Sequence, residues 1–163
     1  MQNVSTRPAA PDDFESLDAI REAAFAPVFA SFRSLVGSAI ASVAFRAAEK
    51  EQRDHLRDLL QPGDRKAVLV AIRNGAACGF CAITWNSETG IGEIGLNAVH
   101  PAAQRQGIAR RLHSVALERL RAEGMRIATV GTGGDDSHGP ARAAYAKAGF
   151  RTGIPSIQLY LQL

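Results

Sequence analysis

The spacing of the apolar residues changes at His100, and this change limits the folds open to the chain. Before it, "KAVLVAIRNGAACGFCAITW" and "IGEIGLNAV" are apolar over strand-length stretches, and Asn74-Gly75 divides the longer one. Asn-Gly between two apolar runs is a strong signal of a β-hairpin. The sequence therefore predicts a three-strand meander that leads into a helix. The apolar stripe of that helix is formed by Ile108, Leu112, Val115, Ala116 and Leu120.

Helices are predicted on the N-terminal side of the meander. Val4 to Ala10 is predicted as a first strand, and "PDDFESLDAIREAAF" then begins a helix that Pro27 should end. A second, less regular helical region is expected from about Val28 to Leu60, with a weak spot at Gly37.

After the His100 turn, helices and strands are predicted to alternate. Gly124 should end the first of these helices, and "MRIATVGTGGDD" is predicted as a strand that runs into a loop. "PARAAYAKAGF" is predicted as a short helix and "SIQLYLQL", residues 156–163, as a final strand. A meander followed by a β-α-β crossover predicts one α/β domain over residues 1–163, with a mixed sheet covered by helices on both faces.

The composition is typical of a globular protein without an export signal. Hydrophobic residues make up 46% of the chain and charged residues 21%. Charges, glycines or prolines interrupt every apolar run, so no membrane span is expected. The start "MQNVSTRPAAPDDF" lacks the pattern of a signal peptide, and the expected location is the cytoplasm.

Charge is distributed unevenly along the chain. Residues 101–163 carry nine basic and four acidic side chains, whereas residues 1–100 carry ten basic and twelve acidic ones. This asymmetry suggests an anionic partner for the C-terminal part. The basic residues there are nearly all arginines scattered along a helix with few aromatics between them, so nucleic acid is not the expected partner.

Two cysteines, Cys78 and Cys81, form a CxxC pair in "AACGFCAITW". Such a pair is found in redox sites and as half of a zinc site. The chain has no second pair for zinc, and no helix begins here to activate a thiolate. A regular strand would also place the two side chains on opposite faces. We therefore expect two buried, unreactive thiols and no metal site.

The turn in "HPAAQRQGIARRL" has the features of an anion site between a strand and a helix. A helix N-terminus presents unpaired N–H groups and a partial positive charge, so it can hold an anionic group. Gly107 has no Cβ and allows a phosphate to approach the main chain closely, although a glycine here also suits a simple tight connection. Neither GxxxxGK(S/T) nor G-x-G-x-x-G occurs in the chain. Rim donors are offered by Gln104, Arg105, Gln106 and Arg110.

This stretch resembles the acetyl-CoA-binding motif of the GNAT family of N-acetyltransferases, V-x-P-x-x-R/Q-x-x-G-x-G/A. The matching positions are Val99, Pro101, Gln104, Gly107 and Ala109. A second stretch, "PARAAYAKAGF", resembles the family pattern A-x-x-x-Y-x-x-x-G-F through Ala141, Tyr145, Gly149 and Phe150. Gln104 stands where arginine is common, Ala109 where glycine is common, and His138 where an asparagine often contacts the cofactor.

The resemblance implies a GNAT fold of the α/β (α+β) class. Its sheet would be mixed, mostly antiparallel and six- to seven-stranded, with helices on both faces. Its fourth and fifth strands would splay apart to admit the pantetheine arm of acetyl-CoA. The implied cofactor-binding residues are Leu96, Asn97, Ala98 and Val99 through their backbone, Gln104, Arg105, Gln106, Gly107, Ile108, Ala109 and Arg110 around the turn, and His138 and Tyr145.

The implied activity is transfer of an acetyl group from acetyl-CoA to an amine by direct attack in a ternary complex. A primary amine with a pKa near 10.4 is mostly protonated at neutral pH, so the attack needs a base or a pKa lowered by burial. By resemblance, Glu93 is the candidate base and Tyr145 the candidate donor to the departing thiol. The alternatives are a surface carboxylate at Glu93 and a packing aromatic at Tyr145. His100 is a second candidate base or a loop residue.

The acceptor side of the site is not defined by the sequence. Asp135 and Asp136 would attract a cationic acceptor or lie in a solvated loop. Four aromatic residues would line an acceptor cleft or belong to the core, namely Phe25, Phe29, Phe32 and Trp85.

Two other functions remain open at this point. One is a catalytically silent module of the same fold that binds acyl-CoA, and the other is a nucleotide-binding α/β protein. If the apolar final strand lies at a sheet edge, it suggests pairing into a homodimer.

Overall fold

The computed structural model describes residues 4–163, which form five strands and four α-helices. The strands are β1 (Val4–Pro8), β2 (Lys66–Arg73), β3 (Ala76–Asn86), β4 (Ile91–Val99) and β5 (Ile127–Val130). The helices are α1 (Phe14–Ala44), α2 (Ala48–Leu60), α3 (Ile108–Ala122) and α4 (Gly139–Ala148). Short 3-10 turns lie at Pro11–Asp13, Pro101–Ala103 and Asp136–His138.

The strands form one mixed sheet in the order β1-β2-β3-β4-β5. The first three pairings are antiparallel, and β4 pairs with β5 in parallel because α3 crosses over between them. Asn74 and Gly75 both have positive φ, 53° and 79°, as a tight hairpin turn requires. The predicted meander and its mixed sheet are confirmed.

Helices cover both faces of this sheet, as expected. On one face, α3 buries the predicted stripe, with Ile108, Leu112, Ala116 and Leu120 packed against β3 and β4. On the other face, α1 and α2 pack Leu17, Ile20, Leu56 and Leu60 against β2 and β3. We call these the α3 face and the α1 face of the sheet.

A fork opens between β4 and β5. The two strands pair only where Ile91–Ile94 lies beside Ile127–Val130, and β4 then continues to Val99. All of β5 is paired, so the last five residues of β4 have no β5 partner, which agrees with the splayed pair that the family resemblance implies. The turn that leads to α3 follows directly after this part of β4.

Helix α1 corrects the expectation that Pro27 ends the first helix. It runs through Pro27, and the only non-helical backbone inside it lies at Gly37, with φ 79°. Proline removes one backbone hydrogen bond but can be accommodated in a helix. Because the helix continues, Pro11–Ala44 is long and apolar enough to cross a membrane by length and composition alone. The first half of α1 packs into the core of the domain through Leu17 and Ile20.

The predicted final strand is wrong. Residues 151–163 have no regular secondary structure and are exposed along their whole length. Tyr160 instead lies near Phe45 at the end of α1, with ring centroids 6.1 Å apart. The described residues therefore form five strands rather than six or seven. Alternating polar and apolar residues form a strand only where the segment can pair with a sheet edge, and this segment does not pair with one.

The cysteines are buried and free, as predicted, but they share a face. A register shift between β2 and β3 inserts an irregularity at Cys78, so that both side chains join the cluster on the α3 face. Burial raises the pKa of Cys81 to about 12. Burial also raises the pKa of Cys78, with Arg73 acting in the opposite direction. Both thiols are therefore protonated at neutral pH and poorly suited to nucleophilic chemistry.

Candidate functional site

The N-terminus of α3 is open toward solvent. Gly107 precedes the helix with φ 80°, and no side chain of the described residues hydrogen-bonds the first helical amides. A Cβ built at Gly107 would have nothing within 4 Å. The first amides therefore keep their donors and the positive end of the helix dipole available to an anion. This is the arrangement that the sequence predicted for a phosphate site.

Two of the four expected rim side chains are hydrogen-bonded within the turn. Gln104 donates to the carbonyl of Val99 at 3.1 Å. Gln106 donates to the carbonyl of Ala102 at 3.3 Å and accepts from Arg73. These glutamine amides brace the turn itself, which leaves the exposed Arg105 and Arg110 as its charged donors.

The backbone around the turn has a second left-handed residue besides Gly107. Arg105 has φ 60°, an uncommon conformation for a residue with a Cβ. Left-handed residues in a tight turn direct successive N–H groups into a concave surface that suits anions. Ala109, the second residue of α3, is partly exposed, and Ile108 is buried as the anchor of the turn.

His100 holds the strand-to-helix connection together. Its Nδ1 atom accepts a hydrogen bond from the amide of Ala102 at 3.2 Å, and its own amide bonds to Cys78 of β3. This side chain therefore caps the 3-10 turn Pro101–Ala103, and its candidacy as a base has no support from these contacts.

The predicted backbone site for the pantetheine arm is the end of β4 beyond the fork. Leu96 and Ala98 direct their side chains into the α1 face, and Val99 packs on the α3 face. The side chain of Asn97 also turns to the α3 face, where it contacts His113 and Tyr145. The open part of β4 thus carries a polar side chain among apolar ones.

Tyr145 lies on α4 and is buried beside the part of β4 that has no β5 partner. It is 7% exposed, and its hydroxyl oxygen lies 2.9 Å from the Asn97 amide nitrogen. Its ring contacts His113 of α3 at 5.1 Å and the edge of Phe150 at 6.1 Å. Burial raises the pKa of Tyr145 above its ordinary value, although the hydrogen bond from Asn97 acts against this shift. The phenol therefore carries its proton at neutral pH and can donate it.

His113 was missed by the sequence analysis. It lies beside Leu112 on α3 and is 2% exposed, and the only available signal was a polar residue next to an apolar stripe. Burial lowers its pKa, so the ring is neutral at pH 7. Among the described residues, its Nδ1 atom is buried without a hydrogen-bond partner.

Glu93 lies on the opposite face of β4 from this group. Its neighbours Gly92 and Ile94 point to the α3 face, so the carboxylate between them points to the other side. It is exposed and lies in a shallow depression beside Trp85 and Thr129, just before the fork opens. The structure therefore does not bring Glu93 and Tyr145 into contact, and they flank the fork from opposite faces.

The loop before α4 is tied to α1 through Asp135. Its carboxylate accepts a hydrogen bond from Ser31 at 2.9 Å, pairs with His138 Nδ1 at 2.7 Å and is also bonded by Ser137. Burial alone would raise the pKa of Asp135, but these hydrogen bonds outweigh it and hold the pKa well below its ordinary value. Asp135 thus has internal partners, whereas Asp136 is exposed.

The aromatic residues divide between core and loop contacts. Phe32 stacks on His138 with centroids 5.5 Å apart, which joins α1 to the start of α4. Phe29 is buried and lies near Phe25 at 6.4 Å. Trp85 packs at the edge of the α3 face, with Arg119 5.7 Å from its ring. Packing accounts for all four, and their role toward an acceptor stays a prediction.

A forked mixed sheet with an open helix N-terminus at the fork is the architecture of an acetyltransferase domain. The model of the Acetyltransferase (GNAT) family matches residues 35–150, which is most of the chain. The protein belongs to this family.

One relative and several solved structures give more particular likenesses. The chain is 30% identical over 89 residues to a mycothiol acetyltransferase of Streptomyces avermitilis, a match that covers 55% of this chain and 28% of that protein. The match thus spans less than a third of the relative's length.

The structural neighbours support the fold alone. An acetyltransferase of the GNAT family from Desulfovibrio desulfuricans superposes with a TM-score of 0.71 at 19% identity, over 93% of this chain and 87% of that chain. An aminoglycoside N-acetyltransferase, AAC(6')-Iy, in complex with CoA superposes with a TM-score of 0.67 at 14% identity, over 100% of this chain and 97% of that one.

Proposed function

We propose that the protein transfers the acetyl group of acetyl-CoA to an amine acceptor by direct attack in a ternary complex. One observation carries the proposal: the open N-terminus of α3 lies at the mouth of a fork whose inner end is bordered by the phenol of Tyr145. Family membership and the CoA complex of one structural neighbour support the same ligand.

The described residues fit acetyl-CoA. The amides after Gly107 and the side chains of Arg105 and Arg110 would hold its diphosphate, because unpaired amides and guanidinium groups are strong donors to phosphate. The backbone of Leu96 to Val99, which has no β5 partner beyond Ile94, would pair with the amides of the pantetheine arm. When bound, acetyl-CoA supplies the activated thioester carbonyl.

The chemistry then requires a base and a donor. Glu93 would accept the proton of the amine, directly or through water, as the nitrogen bonds to the thioester carbon. Holding the amine as a free base at pH 7 costs about 4–5 kcal/mol for a pKa near 10.4. Tyr145 would donate its phenol hydrogen to the sulfur as the carbon–sulfur bond breaks. Both roles, the base at Glu93 and the donor at Tyr145, are carried over from the family resemblance.

Thermal-shift measurements test the ligand class. Acetyl-CoA and CoA should raise the melting temperature, whereas ATP and NAD should not, because a ligand that binds only the native state stabilises it. Stabilisation by ATP or NAD alone would refute the proposal.

A screen of amines for release of free CoA thiol tests the reaction. At least one amine class should accelerate thiol release over buffer. Confirmed acetyl-CoA binding without transfer to any amine would instead favour a silent acyl-CoA-binding module.

The variant Glu93→Gln separates the two candidate bases. It should lower kcat most at neutral pH and progressively less as pH rises, because the amine then deprotonates unaided. His100→Gln serves as the comparison. If only His100→Gln lowers kcat in this pH-dependent way, the base is His100.

A further inference from the structure

A β-bulge in β4 determines which way Asn97 points. Ile94 pairs with Ile83 and Asn97 with Cys81, so two residues of β4 lie opposite the single residue Ala82 of β3. Three positions after Ile94, a regular strand would turn Asn97 to the α1 face. With the extra residue, the side chain of Asn97 joins the α3 face, where Tyr145 lies.

The hydrogen bonds of Asn97 fix the orientation of its amide. The nitrogen donates to the carbonyl of Gly95 at 2.8 Å and to the hydroxyl oxygen of Tyr145 at 2.9 Å, which uses both of its hydrogens. A flipped amide would bring its oxygen against the Gly95 carbonyl, which has no hydrogen to offer. The hydroxyl of Tyr145 is therefore the acceptor in this pair, and its own hydrogen is not given to Asn97.

His113 completes this arrangement from α3. Its Nε2 atom lies 3.4 Å from the Asn97 amide oxygen, which only accepts, so Nε2 carries the hydrogen of the neutral ring. The ring also packs on Tyr145 at 5.1 Å. One buried side chain thus contacts both members of the pair and opposes rotation of the amide.

We propose that Asn97 is a positioning residue for acetyl transfer. Asn97 donates to the Tyr145 oxygen and so directs the phenol hydrogen to the departing sulfur, while His113 holds the amide of Asn97. This inference rests on the proposed function. It assigns to the Asn97 side chain a role separate from the backbone contacts that β4 offers to the cofactor.

Two substitutions of Asn97 differ in what they do to the phenol hydrogen of Tyr145. Asn97→Asp keeps the shape of the side chain but replaces the donor with an acceptor, so the phenol hydrogen is drawn to the carboxylate and away from the sulfur. Asn97→Ala only removes the hydrogen bond, which should lower kcat about 3- to 10-fold. We expect Asn97→Asp to be the more damaging variant. Asp also sets an oxygen against the Gly95 carbonyl, which lowers stability by itself. The kcat values are therefore measured well below the melting temperature of each variant, and equal values for the two variants there would overturn the inference.

Asn74→Asp is the matched control for the change to aspartate. Asn74 is exposed in the hairpin turn between β2 and β3, and Asp-Gly forms the same type of turn as Asn-Gly. Its kcat should stay at the level of the unmodified protein. Acetyl-CoA affinity is measured calorimetrically for each variant, so that an effect of charge on binding appears in Kd rather than kcat.

A spectroscopic test needs neither acceptor nor turnover. The chain has two tyrosines, and Tyr160→Phe leaves Tyr145 as the only one. In fluorotyrosine-labelled protein, Asn97→Ala should move the 19F resonance and shift the titration midpoint of Tyr145 to higher pH, because the lost hydrogen bond favours the phenolate. An unchanged resonance and midpoint would overturn the inference even if the enzyme is active.

A double-mutant cycle decides whether Asn97 acts through Tyr145. Asn97→Ala should change kcat less than about twofold in the Tyr145→Phe background, because the phenol hydrogen is already absent. An equal loss in both backgrounds would overturn the inference. If no amine is acetylated by the unmodified protein, the proposed function fails, and the 19F measurement still tests the contact itself.

Discussion

The two ends of α3 offer a matched pair of substitutions that isolates the anion site. Gly107 precedes the helix and Gly124 follows it. Both have φ of 80°, and a Cβ added to either would have nothing within 4 Å. Gly107→Ala and Gly124→Ala therefore impose the same backbone strain at opposite poles of the helix dipole.

The expected magnitudes follow from this geometry. A left-handed residue with a Cβ costs about 1–2 kcal/mol. In a domain of this size, such a cost lowers the melting temperature by about 2–8 °C. Both variants should share this loss. Only the methyl group at Gly107 would stand in front of amides that the diphosphate uses, and losing one charge-assisted hydrogen bond costs about 1.5–3 kcal/mol, or roughly 10- to 150-fold in Kd.

Calorimetric titration of CoA into the three proteins measures this difference, and thermal shifts at fixed CoA concentration provide a second readout. Gly124→Ala should retain the Kd of the unmodified protein and the full thermal shift. If Gly107→Ala binds CoA as tightly as Gly124→Ala does, the diphosphate does not rest on the amides of α3 and the interpretation of the site is refuted.

Three further predictions concern the donor, the loop before α4 and the C-terminal segment. Tyr145→Phe should lower kcat, as measured by thiol release, about 10²- to 10⁴-fold, with little change in Kd for CoA, and an unchanged kcat would exclude its role as donor. Asp135→Asn should lower the free energy of unfolding at pH 7 in urea titrations. The pKa of Asp135 is lowered in the folded state, so its carboxylate stabilises the fold above the ordinary pKa near 4, and this contribution is lost as the pH falls further. The free energies of unfolding of the two proteins should therefore converge at low pH. A constant difference between them down to low pH would contradict the assignment. Residues 156–163 alternate polar and apolar side chains and expose the apolar ones, so we expect the full chain to form a homodimer that is lost when this segment is deleted. Light scattering that finds the full chain monomeric would refute this last expectation.

Features specified by neighbouring residues were predictable from the sequence. Asn74-Gly75 forms the hairpin because both residues adopt positive φ cheaply, and Gly107 begins α3 for the same reason. The apolar stripe of α3 is buried because its spacing matches one helix face. Each of these needs only local chemistry, and each survives in the structure.

Features that depend on a neighbouring strand were not predictable. The irregularities at Cys78 and after Ile94 are slips in pairing with β2 and β3, and no spacing within one strand announces them. After each of these irregularities, every later side chain of the strand points to the face opposite the one expected for a regular strand. The sequence therefore placed the two cysteines apart, and it identified Asn97 only through its backbone. The strand predicted at residues 156–163 failed because its burial required an edge that the segment does not reach.

The bulge in β4 also explains how one strand can serve both halves of the proposed reaction. In acyl transfer, the nucleophile approaches the carbonyl carbon from one side while the leaving group departs in another direction, so the base and the acid cannot share one position. Glu93 precedes the bulge and projects from the face opposite α3, whereas Asn97 follows it and holds Tyr145 on the α3 face. The fork begins between these two residues, where β4 leaves β5 after Ile94. A thioester lying in that gap would be open to both faces of the sheet, and a continuously paired sheet would block one of them.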